Sequence, residues 1–73
     1  MREFSVRLKE LRNERGITQH QMAQHLGITD RGYQVYEQEK GFPDVPHLCE
    51  LADYFDVSLD YLMGRSVTRE RIP

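Results

Sequence analysis

The stretch between Thr18 and Glu37 contains two short helical patterns with only three residues between them, and this spacing limits what the chain can fold into. The apolar edge of the first pattern consists of Met22, Ala23 and Leu26. In the second pattern, Tyr33 and Tyr36 lie three apart and face the same side. Gly27 interrupts the helical spacing of the apolar residues and adopts backbone angles that other residues resist. So short a turn holds the two helices in direct contact.

The whole chain is predicted to be all-α, with five short helices and no strand. The helices are predicted at about 4–15, 19–26, 30–38, 45–55 and 59–63. Side chains that favour N-caps precede the last four helices, and they are Thr18, Thr29, Asp44 and Ser58. Glycine follows the first, second and fifth helices. We therefore expect a compact domain over residues 1–66 and a charged, frayed tail over 67–73.

The length of 73 residues allows one domain with a thin core. The single cysteine cannot form an internal disulfide, so packing must stabilise the fold, alone or with a partner subunit. The N-terminal ten residues have no apolar run long enough for a signal peptide, and no segment is long enough to span a membrane. We expect a soluble, cytoplasmic protein without a membrane partner.

The net charge of −2 does not by itself suggest a nucleic-acid partner, but the charges are unevenly distributed. Residues 41–64 hold five acidic side chains and no Lys or Arg, whereas each flanking segment is slightly basic. This distribution permits an anionic partner on the remaining surface and does not require one.

The sequence shows no set of catalytic side chains. It has no Ser/His/Asp or Cys/His arrangement, no glycine-rich phosphate loop and no paired carboxylates at a cleft. His20 and His25 are five apart and do not share a helix face, so no metal site is expected. Cys49 fits as a small filler beside Leu48 and Ala52. We therefore expect neither an enzyme nor a cofactor.

The outer face of the predicted third helix is the candidate binding surface. Tyr33 and Tyr36 are expected to face inward, since their spacing favours core packing over stacking on bases. The positions that must then face outward are Asp30, Arg31, Gln34 and Val35. Two helices joined by a three-residue turn form a helix-turn-helix, and its projecting helix fits the major groove of double-stranded DNA, which is about 12 Å wide.

Residues 4–64 resemble the Cro/phage-repressor family of helix-turn-helix proteins, the lambda-repressor-like domains. The matching segments are RLKELRNERGITQ at 7–19, MA at 22–23, LGIT at 26–29, YE at 36–37 and LADYFDVSLDYLMGR at 51–65. The resemblance implies a compact five-helix domain with the helix-turn-helix at the second and third helices. It also implies binding to a two-fold symmetric operator in double-stranded DNA, usually as a homodimer.

The resemblance further implies roles for individual residues. The implied base contacts are Thr29, Asp30, Arg31 and Val35, with Gln34 beside them on the same face. The implied phosphate contacts are Gln19, Gln38 and Lys40, with His20 as a further candidate beside Gln19. Backbone N–H groups at the starts of the second and third helices would add phosphate contacts. Glu37 matches a position that is mainly structural in the family.

Three residues depart from the family's pattern. Asp30 is acidic where Arg, Gln or Ser is more usual; it could accept a hydrogen bond from cytosine N4 but would repel phosphate. Val35 is apolar where a polar residue is common, and it could contact a thymine methyl group. Residue 39 is Glu where the family commonly has Gly. Arg31 therefore remains the one cationic base-reading residue, and guanine is the base that suits it.

The end of the chain has more apolar residues than so short a segment can bury. They are Leu59, Tyr61, Leu62, Met63, Val67 and Ile72, and the first four are the expected symmetric dimer interface. The predicted function is a transcriptional regulator of a bacterium, phage or mobile element, first of all a repressor that occludes a promoter as a dimer. The alternative is a protein-binding helix-turn-helix module, such as an antitoxin or anti-regulator component, whose partner would be a protein regulator.

Overall fold

The computed structural model describes residues 2–71, which form five helices joined by turns, with no strand among them. The helices are α1 (Arg2–Glu14), α2 (Gln19–Leu26), α3 (Asp30–Glu37), α4 (Val45–Phe55) and α5 (Leu59–Leu62). The predicted all-α, five-helix fold is confirmed, and the helix bounds agree with the predicted bounds to within about two residues. None of the helices in residues 2–71 is long and apolar enough to cross a membrane.

Side-chain caps begin four of the helices, as the sequence predicts. Thr18 Oγ1 accepts a bond from the Gln21 N–H, and the Gln21 side chain accepts one from the Thr18 N–H, which forms a capping box. Thr29, Asp44 and Ser58 each accept a bond from the backbone N–H three residues further on. These caps satisfy N–H groups that a helix start leaves without partners, so they set where α2 to α5 begin.

The five helices of residues 2–71 also end in one common way, with a residue in the left-handed backbone region. These residues are Gly16, Gly27, Glu39, Asp56 and Gly64. After each of them, the next N–H bonds the carbonyl five residues back; after Gly27, for example, Ile28 N–H donates to Ala23 O at 3.0 Å. Glu39 (φ 61°) and Asp56 (φ 53°) adopt this conformation at a cost that glycine avoids.

The core takes side chains from all five helices. Its largest fully buried side chains are Phe4, Leu8, Met22, Tyr33, Leu51 and Leu62. α3 packs against both α2 and α1, and α5 packs against α1 and α4. α3 buries Tyr33 completely and exposes Asp30 and Arg31 at its start. The core thus fixes one side of α3 and leaves another side at the surface.

The C-terminal tail, expected to be frayed, lies against the body of the domain as far as Arg71. Ser58 N–H donates to the Arg69 carbonyl at 2.8 Å, and the Arg69 guanidinium binds both carboxylate oxygens of Glu14. Arg71 binds Asp53 on α4. The expectation of a frayed tail is therefore wrong for these residues. Composition shows the charge of a tail but not the carboxylates that face it.

Among the glycines at helix ends, Gly64 is the one where an added side chain should lower the stability of the fold most. Its φ is +81°, and an added Cβ would overlap Glu3 Cβ and lie 2.9 Å from Glu3 Cγ. We expect Gly64→Ala to lower the free energy of unfolding by roughly 2–3 kcal/mol, from backbone strain and steric overlap together.

Gly16→Ala is the matched control for this substitution. Gly16 has φ +64°, and nothing lies within 4 Å of a Cβ built there. The free energy of unfolding of this variant should fall by only about 1 kcal/mol, from backbone strain alone. Urea unfolding followed by circular dichroism measures both losses, and equal losses would contradict the overlap at Glu3.

Candidate nucleic-acid interface

The starts of α2 and α3 lie beside each other at one edge of the domain. Nδ1 of His20, in the first turn of α2, is 2.7 Å from Oδ1 of Asp30, the first residue of α3. Both side chains are more than half exposed, so this contact lies on the surface. The two helix starts therefore bring their N–H groups and their partial positive charges to the same edge.

A buried carboxylate joins three helices behind this edge. Glu37, at the end of α3, has a side chain that is 2% exposed, and it accepts bonds from Arg12 Nε at 2.7 Å and Arg12 Nη2 at 3.0 Å. The Tyr33 hydroxyl also donates to Glu37, and the Gln19 amide donates at 3.1 Å. Helices α1, α2 and α3 are thereby connected through one side chain.

The groups of this network are held in fixed protonation states. Burial raises the pKa of Glu37, but hydrogen bonds from Arg12, Tyr33 and Gln19 outweigh that effect, so this pKa lies below its usual value. Burial, and then the hydrogen bond to Glu37, raise the pKa of the Tyr33 hydroxyl. The hydrogen bond to Glu37 also raises the pKa of Arg12. At neutral pH the carboxylate is therefore charged and its donors keep their protons.

Gln19, the predicted phosphate contact at the start of α2, is held by this network. Its Nε2 donates one hydrogen to Glu37 Oε1, and an amide nitrogen has a second hydrogen to donate. The side chain is half-buried, so it is fixed on one side and open on the other. This geometry suits a phosphate contact. The bond joins residues 18 apart in sequence, and helical periodicity gave no sign of it.

Thr29 and Gly32 shape the start of α3. Thr29 Oγ1 accepts a bond from Gly32 N–H at 3.0 Å, so this predicted base contact also caps the helix. A Cβ on residue 32 would lie 3.1 Å from that oxygen, and glycine therefore leaves room for the cap. The Thr29 hydroxyl still has a proton that it can donate to a base or a phosphate.

The other predicted base contacts on α3 differ in their accessibility. Arg31 is exposed, and its guanidinium has no hydrogen bond or ion pair within residues 2–71. Gln34 is partly exposed. Val35 is partly buried, and a Cβ built on Gly41 in the following loop would lie 3.1 Å from its Cγ2 methyl group. Val35 therefore has less surface to offer a thymine methyl group than its place in the pattern suggested.

Gln38 and Lys40, the predicted phosphate contacts after α3, are both exposed. The Gln38 N–H donates to Gln34 O, and the Lys40 N–H donates to Val35 O, each at 3.0 Å. These bonds close the end of α3 around Glu39, whose φ is 61°. The left-handed conformation explains why the family commonly has glycine at this position, because glycine adopts it without steric strain.

Most arginine side chains are engaged within the domain. Those with hydrogen bonds or ion pairs are Arg7, Arg12, Arg15, Arg69 and Arg71. Arg31 at the start of α3 and Lys40 just beyond its end have no such partner among residues 2–71. These two cationic side chains of the helix-turn-helix surface are therefore available to an anion.

Two residues of the predicted dimer interface lie in the core instead. Leu62 is fully buried and Tyr61 is 9% exposed, with the Arg7 and Arg69 guanidinium groups placed over the Tyr61 ring. The structure thus removes Tyr61 and Leu62 from the surface that a second subunit could contact. A four-residue helix is too short for its sequence to show which side faces inward.

The remaining apolar residues of this region reach the surface. Leu59 is 42% exposed, Met63 is partly exposed, and Val67 in the tail is 86% exposed. Ile72 lies outside the described residues. The interface prediction therefore narrows to Leu59 and Met63, with Val67 nearby in sequence.

The described residues show no arrangement for a metal ion. Within residues 2–71, no group of three or more His, Cys, Asp or Glu side chains could hold one. His25 packs against the Tyr54 ring, with ring centroids 4.4 Å apart. Cys49 is a free, partly exposed thiol.

Comparisons with known proteins agree with this architecture. Residues 8–62 match the helix-turn-helix family. The chain is 43% identical over 60 residues to the SPbeta prophage-derived uncharacterized HTH-type transcriptional regulator YonR of Bacillus subtilis, covering 82% of this chain and 56% of YonR. It is 39% identical over 64 residues to the cryptic phage CTXphi transcriptional repressor RstR of Vibrio cholerae, covering 88% of this chain and 57% of RstR.

A solved structure extends the agreement to three dimensions. A transcriptional regulator from Listeria innocua superposes with a TM-score of 0.82 at 31% identity, over 96% of this chain and 63% of that protein. The chain spans about half the length of the curated relatives it matches. The family match over residues 8–62 contains the whole helix-turn-helix, α4, α5 and the second half of α1, and the chain therefore belongs to the Cro/C1-type helix-turn-helix family.

Proposed function

We propose that this protein binds a specific operator in double-stranded DNA in the cytoplasm and regulates transcription, first of all as a repressor that blocks a promoter. The observation that carries the proposal is Arg31, which is exposed and unpaired within residues 2–71 on a helix that Tyr33 anchors in the core. An arginine at the start of such a helix can bond O6 and N7 of guanine in the major groove. The relative RstR is named as a phage transcriptional repressor.

Phosphate contacts would hold α3 in register in the groove. The N–H groups at the starts of α2 and α3 and the free hydrogen of the Gln19 amide support contacts at one end of the surface. The exposed Gln38 and Lys40 lie beyond the other end of α3. Groups spread along a helix in this way suit the phosphates on both sides of a groove.

Selection from random duplexes, followed by titration of the selected site at several salt concentrations, tests the proposal. We expect a motif with two-fold related half-sites centred about 34 Å apart, and a steep fall of affinity with rising salt. The alternative function, a protein-binding module, would give no enriched motif and only weak binding to any duplex. That outcome would overturn operator recognition and direct the search to a protein regulator.

A two-fold operator requires a dimer, and Leu59 is the residue we propose at the centre of its interface. Leu59→Lys would place a charge in an apolar contact, so we expect monomers in sedimentation and operator affinity lower by roughly a hundredfold. Val6→Lys is the control, since Val6 is exposed to a similar extent on α1. Wild-type protein that stays monomeric at high micromolar concentration, with and without operator, would contradict the dimer.

A further inference from the structure

The contact between His20 and Asp30 lies on the face proposed to enter the groove. Nδ1 of His20 is 2.7 Å from Oδ1 of Asp30, and the two side chains are 62% and 52% exposed. Among residues 2–71, neither side chain has a further hydrogen bond or ion pair. Oδ2 of Asp30 and Nε2 of His20 are therefore both open to a ligand.

We propose that this pair reads a cytosine and that DNA binding stabilises the protonated form of His20. Asp30 Oδ2 accepts a hydrogen bond from the N4 amino group of cytosine, and His20 donates from Nε2 to a DNA phosphate. The inference rests on the proposed function, and it specifies the base and the protonation state that the same surface selects.

The carboxylate of Asp30 limits which base it can read. An ionised carboxylate only accepts hydrogen bonds, and in the major groove only cytosine and adenine present amino groups. Adenine places the acceptor N7 beside its amino group, and this atom would repel the second carboxylate oxygen. Cytosine has no acceptor on its exposed edge. Guanine and thymine present only acceptors there, so an acidic reader disfavours both.

The number of hydrogen bonds that His20 can donate depends on whether its ring is protonated, and this makes DNA binding depend on protonation. A neutral imidazole has one N–H, so a ring that donates from Nδ1 to Asp30 has an acceptor at Nε2, which repels a phosphate oxygen. The imidazolium has an N–H on both nitrogens and can bond Asp30 and a phosphate together. Its positive charge also offsets the negative charge of Asp30, which would otherwise repel the DNA backbone. DNA therefore favours the protonated ring.

The direction of the pH dependence follows from linkage. Because DNA binds the protonated form better, operator affinity should rise as the pH falls through the histidine range, between about pH 8 and 5. Hydrogen bonds keep Glu37, the other acidic side chain of α3, ionised in this range. The other described histidines lie elsewhere: His25 packs on an α4 ring, and His47 pairs with Asp44 at the start of α4.

Fluorescence anisotropy on the selected duplex, at constant ionic strength from pH 5.5 to 8.5, tests the proton linkage. We expect the wild-type protein to bind the duplex at least about five-fold more tightly at pH 5.5 than at pH 8.5. His20→Gln still offers Asp30 an amide donor but cannot gain charge. At every pH its operator affinity should therefore stay near the value that the wild-type protein has at high pH. His25→Gln should retain the wild-type profile, because its ring lies outside the proposed surface.

The base preference is tested with the same duplex carrying T·A or A·T in place of each C·G pair in turn. At one position in each half-site, the wild-type protein should lose about tenfold or more in affinity. Asp30→Asn should lose this preference and favour adenine there, because an amide can bond N6 and N7 together.

Two results would overturn the inference while leaving operator binding intact. One is a His20→Gln profile that follows the wild-type pH dependence, and the other is a cytosine preference that survives in Asp30→Asn. Failure of the wild-type protein to select any duplex would instead overturn the proposed function. Circular dichroism of each variant at both pH limits confirms that folded protein is being compared.

Discussion

Glu37→Gln is expected to lower the free energy of unfolding by about 3 kcal/mol, which is a large share of the stability of so small a domain. The substitution keeps the size of the side chain but removes the charge that Arg12 meets in a nearly closed site, where the Glu37 side chain is 2% exposed. The Arg12 guanidinium would then be partly buried without a counter-charge. Urea unfolding at pH 7 measures the loss.

Glu14→Gln makes the same chemical change at the surface and is the matched control. The Glu14 carboxylate binds Arg69 through two hydrogen bonds, but both side chains are about half exposed. Exposed ion pairs contribute little because water solvates the separated charges almost as well. A Glu37→Gln loss no larger than that of Glu14→Gln would show that burial of the network is not what stabilises it.

The stability of Glu37→Gln should also depend on acid pH differently from that of the wild-type protein. The pKa of Glu37 is lower in the folded protein than its usual value, so its ionisation stabilises the fold at neutral pH. That contribution is present above the usual glutamate pKa of about 4.3 and is lost as the pH falls through the lower folded-state value. Glu37→Gln lacks this contribution at every pH, and its stability should therefore fall less between about pH 5 and 3 than that of the wild-type protein.

The helices could be predicted because their signals are local. A cap residue and its N–H partner are three apart, and Gly27 ends α2 within one turn of the residues it bonds. The same rules place Thr29 and Ser58 at the starts of α3 and α5. Such signals need no knowledge of the rest of the chain, so the fold class and the helix-turn-helix were accessible from sequence.

The support behind the candidate interface could not be predicted in the same way. Glu37 meets Arg12 across 25 residues and Gln19 across 18, and no helical period connects them. The resemblance marked Glu37 as structural, but only the structure shows that it holds Gln19 in place. The contact between His20 and Asp30 likewise depends on how two helix starts meet across the turn.

The sequence also could not separate engaged charges from available ones. Arg15 and Arg31 are both exposed arginines in the first half of the chain. Arg15 donates to the Tyr54 carbonyl at 2.9 Å and lies over the rings of Tyr54 and Phe55, whereas Arg31 has no partner among residues 2–71. Composition counts these side chains alike. Packing decides which of them a nucleic acid could meet.

Arg31→Ala is expected to lower operator affinity by about 1–3 kcal/mol and to relax the preference at one base position. Because the guanidinium has no partner within residues 2–71, the substitution should change the free energy of unfolding by less than about 0.5 kcal/mol. A loss of binding without a loss of stability would assign the effect to the interface. Titration of the selected operator and of single-base variants measures the affinity and the base preference, and urea unfolding measures the stability.

Two further variants separate base reading from general attraction. Lys9→Ala removes an exposed positive charge from α1, outside the helix-turn-helix, and should change operator affinity by less than about twofold, since salt screens an exposed charge that makes no direct contact with phosphate. Gln19→Ala should weaken binding to all sequences evenly, because a phosphate contact positions the protein without reading a base. If Arg31→Ala behaved like Gln19→Ala, Arg31 would be a phosphate contact. If it behaved like Lys9→Ala, the exposed side of α3 would not be the reading face, and the accessibility of Arg31 would have another cause.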